Sequence, residues 1–297
     1  MSLSSPMLVP LGSALGYAFA AIMLKRGTEG AGPWRVNFTT NWVQASLFSL
    51  LWFVPAAHAV SATNLTHAII SGAIFFGGQI FTFLALSRGD VSVATPVLGS
   101  KVVFVALFSA ALGTEHIGAA TWLAVFLTAC ATLLLGLGHP HADKEAIFRS
   151  LVYGFSAAAF YAITDITQQH WVRDWGFSHY IATFFLTVGV CSFTLLPILR
   201  RDRRAVPAES WRWMAAGGGM LAVQACGVAW SIITIGATST NVLYNSRGLW
   251  SVVLVWTIGS WFGNAERGHG RAVMLRRLGG SLLLLAAIFL ITRSPHH

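Results

Sequence analysis

Charged side chains are scarce in this sequence. Asp, Glu, Lys and Arg make up 10% of its 297 residues, and only 10 residues are acidic. Hydrophobic residues make up 55%, and the mean hydropathy is +0.66. A water-soluble domain of this length needs many more charges on its surface, so the composition excludes that class. The sequence is therefore expected to be a polytopic membrane protein.

Cysteine and clustered histidine are sparse as well. The three cysteines, Cys130, Cys191 and Cys226, lie singly within apolar stretches without Cys-x-x-Cys spacing. We interpret them as small core residues. The close histidine pair, His139 and His141, has no third ligand in the sequence around it. No metal and no other cofactor is therefore expected.

The sequence also lacks the clustered acidic and histidine side chains that an integral-membrane enzyme needs at one membrane face. We predict that the protein is not an enzyme and has no catalytic residues. A lipid-headgroup transferase that uses the basic loop 200–213 is the lesser alternative. The 19 basic residues lie mostly at the ends of apolar stretches, without a basic face interleaved with aromatic residues. This pattern argues against nucleic acid as a partner.

Long apolar runs are what the sequence has in abundance. Ten of them have about the length that a helix needs to cross a hydrocarbon core of about 30 Å. They lie at roughly 7–24, 37–54, 68–86, 91–112, 119–138, 148–168, 180–199, 213–233, 238–262 and 277–292. The predicted fold class is therefore an all-α membrane protein with ten transmembrane helices.

The basic residues are distributed unevenly between the two sides of the membrane. Loops after odd-numbered stretches hold 15 of the 19 Lys and Arg residues, and the opposite side holds two, Arg173 and Arg293. Since cytoplasmic loops carry the excess, both termini are predicted to be extracytoplasmic. The first lysine is Lys25, so the N-terminus lacks the basic segment of a cleaved signal peptide and the first helix should be retained. The expected location is the cell membrane, with a bacterial inner membrane favoured.

The two halves of the chain repeat the same landmarks in the same order. The matching pairs are Tyr17 with Tyr161, Gly32 with Gly176, Pro55 with Pro197 and Gln79 with Gln224, at offsets of 142 to 145 residues. Because each half holds five stretches, an odd number, the second half must enter the membrane in the opposite orientation. We therefore predict two inverted five-helix repeats, residues 1–142 and 143–297, within one membrane domain.

The arrangement of five plus five stretches, with a glycine and then a glutamate at the end of the fourth and the ninth, resembles a known family. The glutamates are Glu115 and Glu266, and Pro96 stands nineteen residues before Glu115. On these features the chain resembles the drug/metabolite transporter superfamily, in its ten-span EamA-type branch. The resemblance implies a membrane transporter. In the ninth stretch Arg247 stands where the family has a proline, so a charge is expected in place of a kink.

Two of the apolar stretches carry a cation in the membrane interior, where an arginine costs about 3 kcal/mol on insertion scales. Lys101 lies in the fourth stretch and Arg247 in the ninth, each directly after a serine. The related plastid sugar-phosphate translocators hold substrate phosphate with basic residues on these spans, and the resemblance implies that role here. We predict that both cations bind a small organic anion or zwitterion. The alternative is that each is neutralised within the protein and fixes helix packing.

One carboxylate, Asp165, lies deep enough to neutralise a cation. We predict that it balances one of them in the empty site or carries a coupling proton; a structural salt bridge is the alternative. Since it neutralises at most one charge, the other cation favours an anionic ligand. Lys101→Met and Arg247→Met are each expected to abolish anion binding while the protein still folds.

Five further side chains are predicted to contribute to substrate binding. They are Tyr244, Gln79, Gln224, Asn41 and Trp250. Tyr244 shares a helix face with Arg247. Arg247 is predicted to lie six residues from the outer end of a helix that runs unbroken over 241–262. The three amides have interhelical hydrogen bonding as their alternative role. Trp250 is predicted to stack on a substrate or on the guanidinium, with membership of an interfacial Trp belt as the alternative.

These features favour a secondary active transporter, an exporter or exchanger, that moves a small organic anion or zwitterion by alternating access. A phosphate ester or an amino-acid-like metabolite is the expected substrate type. A flippase for an anionic lipid headgroup is the alternative, and it would need a lateral opening between helices. The expected partners are the small-molecule substrate and the lipid bilayer. A monomer is expected, with a dimer as the alternative.

Overall fold

The computed structural model describes residues 5–55, 59–88, 91–136, 144–202, 205–258 and 271–293, which form helices joined by short connections and contain no β-strand. The α-helices in these ranges are α1 Ser5–Ala31, α2 Pro33–Ser49, α3 Ala62–Arg88, α4 Val91–Leu98, α5 Lys101–Leu112, α6 Ala119–Gly136, α7 Lys144–Trp175, α8 Phe177–Cys191, α9 Leu196–Arg201, α10 Ala208–Ile235, α11 Ala237–Tyr244, α12 Arg247–Ile258 and α13 Arg271–Arg293. The predicted all-α fold class is confirmed. Glu266, His139 and His141 lie outside the described residues.

Many of these helices are apolar enough for a membrane. Within the described residues, α1, α3, α7 and α10, and α8 together with α9, are each long and apolar enough to cross a bilayer. Shorter apolar helices occur at Lys101–Leu112, Ala119–Leu134 and Gly279–Arg293. Large apolar side chains such as Phe126 and Val223 lie on the outer surface, 63% and 69% exposed. The chain is a multi-pass membrane protein, as its composition predicts.

The fourth and ninth apolar stretches are each divided into two helices. The fourth breaks at Gly99 and Ser100, between α4 and α5, and the ninth at Asn245 and Ser246, between α11 and α12. At both breaks the backbone tightens into hydrogen bonds between residues three apart, which interrupts the regular α-helix. The prediction of an unbroken helix over 241–262 is therefore wrong within the described residues.

The breaks place both interior cations at equivalent positions. Lys101 begins α5 and Arg247 begins α12, each ten residues after the start of the preceding half-helix, at Val91 and Ala237. Arg247 is thus deeper than predicted, because α11 begins before Asn241. The expectation that a charge replaces the kink is also wrong, since the break lies directly before the charge.

Helices of the two halves pack against one another in exchanged positions. α1 packs along α10, as α7 packs along α3, while α2 packs against α8 and α6 against α13. The glycines that precede α2 and α8, Gly32 and Gly176, both have positive φ angles, 76° and 101°. Glycine adopts this conformation without the steric cost of a β-carbon. The same sharp turn therefore occurs at the same place in each half.

Close packing between α3 and α8 predicts that Gly72 is intolerant of a side chain. A β-carbon at this position would lie 2.6 Å from the carbonyl oxygen of Phe184 and 2.9 Å from Thr187. Gly72→Ala is expected to lower the Tm in detergent by several degrees, although alanine is the better helix former by about 1 kcal/mol. Thermal unfolding of the purified protein measures this effect.

Gly219→Ala in α10 is the matched control. A β-carbon there would meet no atom within 4 Å, so the Tm is expected to stay the same or rise slightly. Equal stability of the two variants would contradict the close approach of α3 and α8.

Candidate functional site

Lys101 and Asp165 form an ion pair inside the helix bundle. The Nζ atom of Lys101, on α5, lies 2.6 Å from Oδ2 of Asp165, on α7, and their side chains are 17% and 8% exposed. Asn241, on α11, donates a 2.6 Å hydrogen bond from Nδ2 to the same oxygen. One carboxylate oxygen therefore joins three helices, and Lys101 is neutralised within the protein.

This pair identifies which cation Asp165 balances, a choice that the sequence leaves open. It also changes the expectation for Lys101→Met. Removing Lys101 leaves a buried carboxylate with an amide donor but no countercharge, which is destabilising. The expectation that this variant folds undisturbed is therefore revised, whereas the same expectation for Arg247→Met stands.

Arg247 is surrounded by tyrosines. Its guanidinium carbon lies 5.0 Å from the ring centroids of both Tyr17 and Tyr244. The two rings meet edge to face, with their centroids 6.1 Å apart. Among the described residues, no carboxylate forms an ion pair with Arg247. Aromatic faces attract a cation but carry no net charge, so they leave its positive charge unbalanced.

Tyr161 on α7 is the counterpart of Tyr17 on α1 in the other half of the chain. Gly78 of α3 lets its ring approach closely, because a β-carbon there would lie 2.9 Å from the ring. The hydroxyl of Thr82 lies 3.2 Å from the Tyr161 hydroxyl, within hydrogen-bonding distance. The sequence offers these tyrosines only as landmarks of the duplication. A polar aromatic residue that is duplicated in the middle of a helix is the signal in the sequence that could have identified them as candidate site residues.

The two duplicated glutamines have different partners. Gln79 and Asn41 form a reciprocal amide pair, with Nδ2 of Asn41 2.8 Å from Oε1 of Gln79 and Nε2 of Gln79 3.0 Å from Oδ1 of Asn41. This is their alternative role, a hydrogen-bonded link between α2 and α3. Gln224 instead accepts a 2.8 Å hydrogen bond from the Tyr244 hydroxyl. Of these amides, Gln224 is the one joined to the surroundings of Arg247.

Trp250 lies one turn beyond Arg247 but packs between α1 and α12. Its ring contacts a small apolar cluster that includes Ala18, Ile22 and Leu254. Its Nε1 is buried without a hydrogen-bond partner among the described residues. The structure thus gives Trp250 a packing position, and its stacking on a substrate stays a prediction.

Glu115 caps helix α11 from the loop that follows α5. Its carboxylate accepts hydrogen bonds from the backbone N–H groups of Ala237 and Thr238. Oε1 of Gln169 on α7 also accepts from Ala237, at 3.0 Å. A carboxylate at this position satisfies free N–H groups and complements the helix dipole. The sequence gives Glu115 only as a family landmark, and its contacts across the bundle come from the structure.

A separate apolar groove of about 850 Å³ lies on the outer surface between α2, α9 and α10. Its lining includes Arg35, Trp42 and Trp211 but none of the residues around Lys101 and Arg247. The Nη2 atom of Arg35 donates a 2.7 Å hydrogen bond to a backbone carbonyl at the end of α9. We place the candidate site in the bundle interior, because the unbalanced charge lies there.

Comparison with known proteins agrees with this architecture. Residues 4–137 match the model of the EamA-like transporter family. The first half of the chain is thus similar to that family. The resemblance predicted from the sequence is thereby confirmed. This EamA-like half comprises α1 to α6 and contributes Tyr17 and Lys101, while Asp165 and Arg247 come from the second half.

Two further similarities extend the comparison. A protein of Archaeoglobus fulgidus described as an uncharacterized transporter is 23% identical over 158 residues, which cover 51% of this chain and 55% of that protein. The chain thus spans about half the length of this curated relative. A protein of known crystal structure aligns with a TM-score of 0.77 at 18% identity, covering 98% of this chain and 99% of the other. At this identity the likeness shows the fold alone.

The buried ion pair predicts strong energetic coupling between Lys101 and Asp165. Lys101→Met and Asp165→Asn are each expected to lower stability by about 3–5 kcal/mol, because each leaves one buried charge without a countercharge. The double variant, which has neither charge, is expected to regain most of the loss. Unfolding of the four proteins in detergent gives the coupling energy.

The exposed pair of Arg149 and Glu145 on α7 is the matched control. Arg149→Met is expected to change stability by less than about 1 kcal/mol, since surface pairs are screened by solvent. Additive losses in Lys101→Met and Asp165→Asn would contradict the buried pair.

Proposed function

We propose that the protein is a secondary active transporter, an exporter or exchanger, of a small organic anion or zwitterion that binds at Arg247. One observation carries the proposal: within the described residues Arg247 lies between Tyr17 and Tyr244 without a carboxylate partner. An unbalanced guanidinium in a membrane is costly. The oxygens of a carboxylate or phosphate match its paired N–H donors. Phosphate esters and amino-acid-like metabolites each carry such an anionic group.

The packing supports ten membrane-crossing helices arranged as inverted repeats, residues 1–142 and 143–297. Counting the divided helices α4–α5 and α11–α12 as one crossing each, and α8–α9 as another, the described helices give five crossings per half. The exchanged packing of α1 on α10 and α7 on α3 is what a twofold axis in the membrane plane produces. Broken helices near the midplane are where many transporters of this architecture bind their substrates.

Alternating access is supported by the difference between the two ends of the bundle. At the end where α11 begins, Glu115 and Gln169 hold its first turn, and deeper in the bundle Asn245 donates a 2.9 Å hydrogen bond to the Thr132 hydroxyl. At the other end, α4 and α12 share no extensive contact among the described residues, and α12 packs chiefly against α1. We therefore infer a cavity that is closed at the first end and open at the second. The basic loops predict that the second, open end faces the cytoplasm.

Asp165 is the proposed coupling residue in this scheme. Its carboxylate holds both Lys101 and Asn241, so it ties α5 and α11 to α7 on the closed side. Protonation of Asp165, or competition by a substrate anion for Lys101, would weaken both links. Either event would favour opening of that end. Transport driven by a proton gradient and transport by exchange both fit this arrangement.

A flippase for an anionic lipid headgroup has less support. Such a protein needs a lateral opening that connects the binding cations with the lipid. The apolar groove on the outer surface has neither Lys101 nor Arg247 in its lining. The solute transporter is therefore the function that the site supports best.

The proposal predicts that anion binding requires Arg247. Purified wild type is expected to be stabilised by an anionic or zwitterionic ligand, by about 2.7 kcal/mol at a concentration 100 times its Kd. Arg247→Met is expected to fold with an unchanged or higher Tm and to lose the ligand-induced rise. A thermal-shift screen of carboxylates, phosphate esters, amino acids and organic cations measures both properties.

Arg173→Met is the matched control for the loss of one arginine. Arg173 is exposed and donates to the carbonyl of Ile233, so its loss is expected to leave the ligand-induced rise intact. The proposal fails if organic cations stabilise the wild type best, or if Arg247→Met keeps full affinity for an anion.

Ten crossings would place both termini on one side of the membrane, and the basic loops predict that this side is extracytoplasmic. A reporter that is active only in the cytoplasm is expected to be inactive when fused after His297, because the C-terminus lies opposite the basic loops. The same reporter fused after Arg201, where α9 ends, is the positive control. Activity of the His297 fusion would contradict the predicted orientation but would not affect the described packing of the helices.

A further inference from the structure

We propose that the site selects an organic monoanion over both dianions and zwitterions. The inference rests on the proposed transport function and narrows its substrate class. It depends on the net charge of the site, which the contacts of Lys101, Asp165 and Arg247 define within the described residues.

The first step is that Lys101 adds no net charge to the site. It is paired with Asp165 at 2.6 Å, and Asn241 donates to the same carboxylate oxygen at the same distance. Glu115 is held at the start of α11 by two backbone N–H groups. Of the two interior cations, Lys101 and Arg247, the one left without a counterion among the described residues is Arg247.

The second step concerns the neutral groups beside Arg247. The Tyr244 hydroxyl donates to Oε1 of Gln224, which leaves the Nε2 donor of Gln224 without a partner in the described part of the chain. The site thus offers a guanidinium and an amide N–H, both donors, for one anionic group. A second negative charge would find no second free cation, and an ammonium group would find no free carboxylate.

The third step concerns the rest of the ligand. The aromatic rings of Tyr17 and Tyr244 flank the guanidinium. Such rings offer apolar contact area, and they pack well against another ring or an alkyl chain. The ligand that fits is therefore a carboxylate or similar single anion on an apolar or aromatic body.

Three probes with one skeleton test this selectivity. 3-Phenylpropanoate is the monoanion, phenylalanine adds an ammonium group at the second carbon, and benzylmalonate adds a second carboxylate there. Binding to the purified full chain is measured by thermal shift at pH 7.5. The monoanion is expected to bind at least about tenfold more tightly than the other two. An alkyl trio, butanoate, 2-aminobutanoate and ethylmalonate, repeats the comparison with a smaller body.

Charge variants provide a second test, because each single variant should change the preference among the three probes in a known direction. Asp165→Asn frees the charge of Lys101 and is expected to shift the preference towards the dianion. Lys101→Met frees the charge of Asp165 and is expected to shift it towards the zwitterion. The double variant, Lys101→Met with Asp165→Asn, is expected to restore the monoanion preference, and it also controls for the stability loss of the single variants.

The possible failures are distinguishable. If no anion or zwitterion of either trio stabilises the wild type, the proposed function and this inference both fail. If the dianion or the zwitterion binds the wild type as tightly as the monoanion, the inference is overturned and the transport proposal stands. An unchanged preference in both single charge variants would also overturn it.

Discussion

The site depends on a shortage of negative charge. Two cations lie in the interior of the bundle, and among the described residues one carboxylate, Asp165, is placed to balance them. It balances Lys101 and also holds Asn241, so α5, α7 and α11 are fixed by a single oxygen. Because an unpaired charge is costly in a membrane, the pairing stabilises Lys101 and leaves Arg247 without a carboxylate partner among the described residues. In the proposed site Lys101 is the structural cation, and Arg247 is the available one.

The divided helices explain why these charges can lie so deep. A continuous helix satisfies its own backbone and offers a ligand only side chains. Where α4 meets α5 and α11 meets α12, the hydrogen bonds tighten, and polar residues, Ser100 and Asn245, stand beside the cations. The Asn245 amide bonds to Thr132 on α6, which ties one break to a neighbouring helix. Each break thus places polar groups within an otherwise apolar helix. These polar groups lie where the two halves of the chain pack against each other.

Much of this arrangement could be predicted from the sequence, because composition and hydropathy depend on the residues of each stretch and not on how the helices pack. The all-α class, the two interior cations and the deep carboxylate follow from the cost of charge in a membrane. The break before Arg247 could not be predicted, because Asn245 and Ser246 are tolerated in helices and no proline marks the position. The contact of the two tyrosines with Arg247 could not be predicted for another reason. Tyr17 and Tyr244 lie far apart in the chain, so only the packing of α1 brings them to one guanidinium.

Aromatic neighbours suit a cation that must bind and release a ligand repeatedly. A carboxylate of the protein at Arg247 would be a permanent competitor, held at high effective concentration, and a substrate anion would have to displace it. A ring contact contributes only about 1–2 kcal/mol and leaves the guanidinium positively charged. Tyr17 and Tyr244 therefore stabilise Arg247 in the empty site without neutralising its charge as a carboxylate would. Gln224 fixes the position of one of these rings through the Tyr244 hydroxyl. In the proposed site, the second half of the chain thus supplies both the binding charge and a support for it, while the first half supplies the opposing ring.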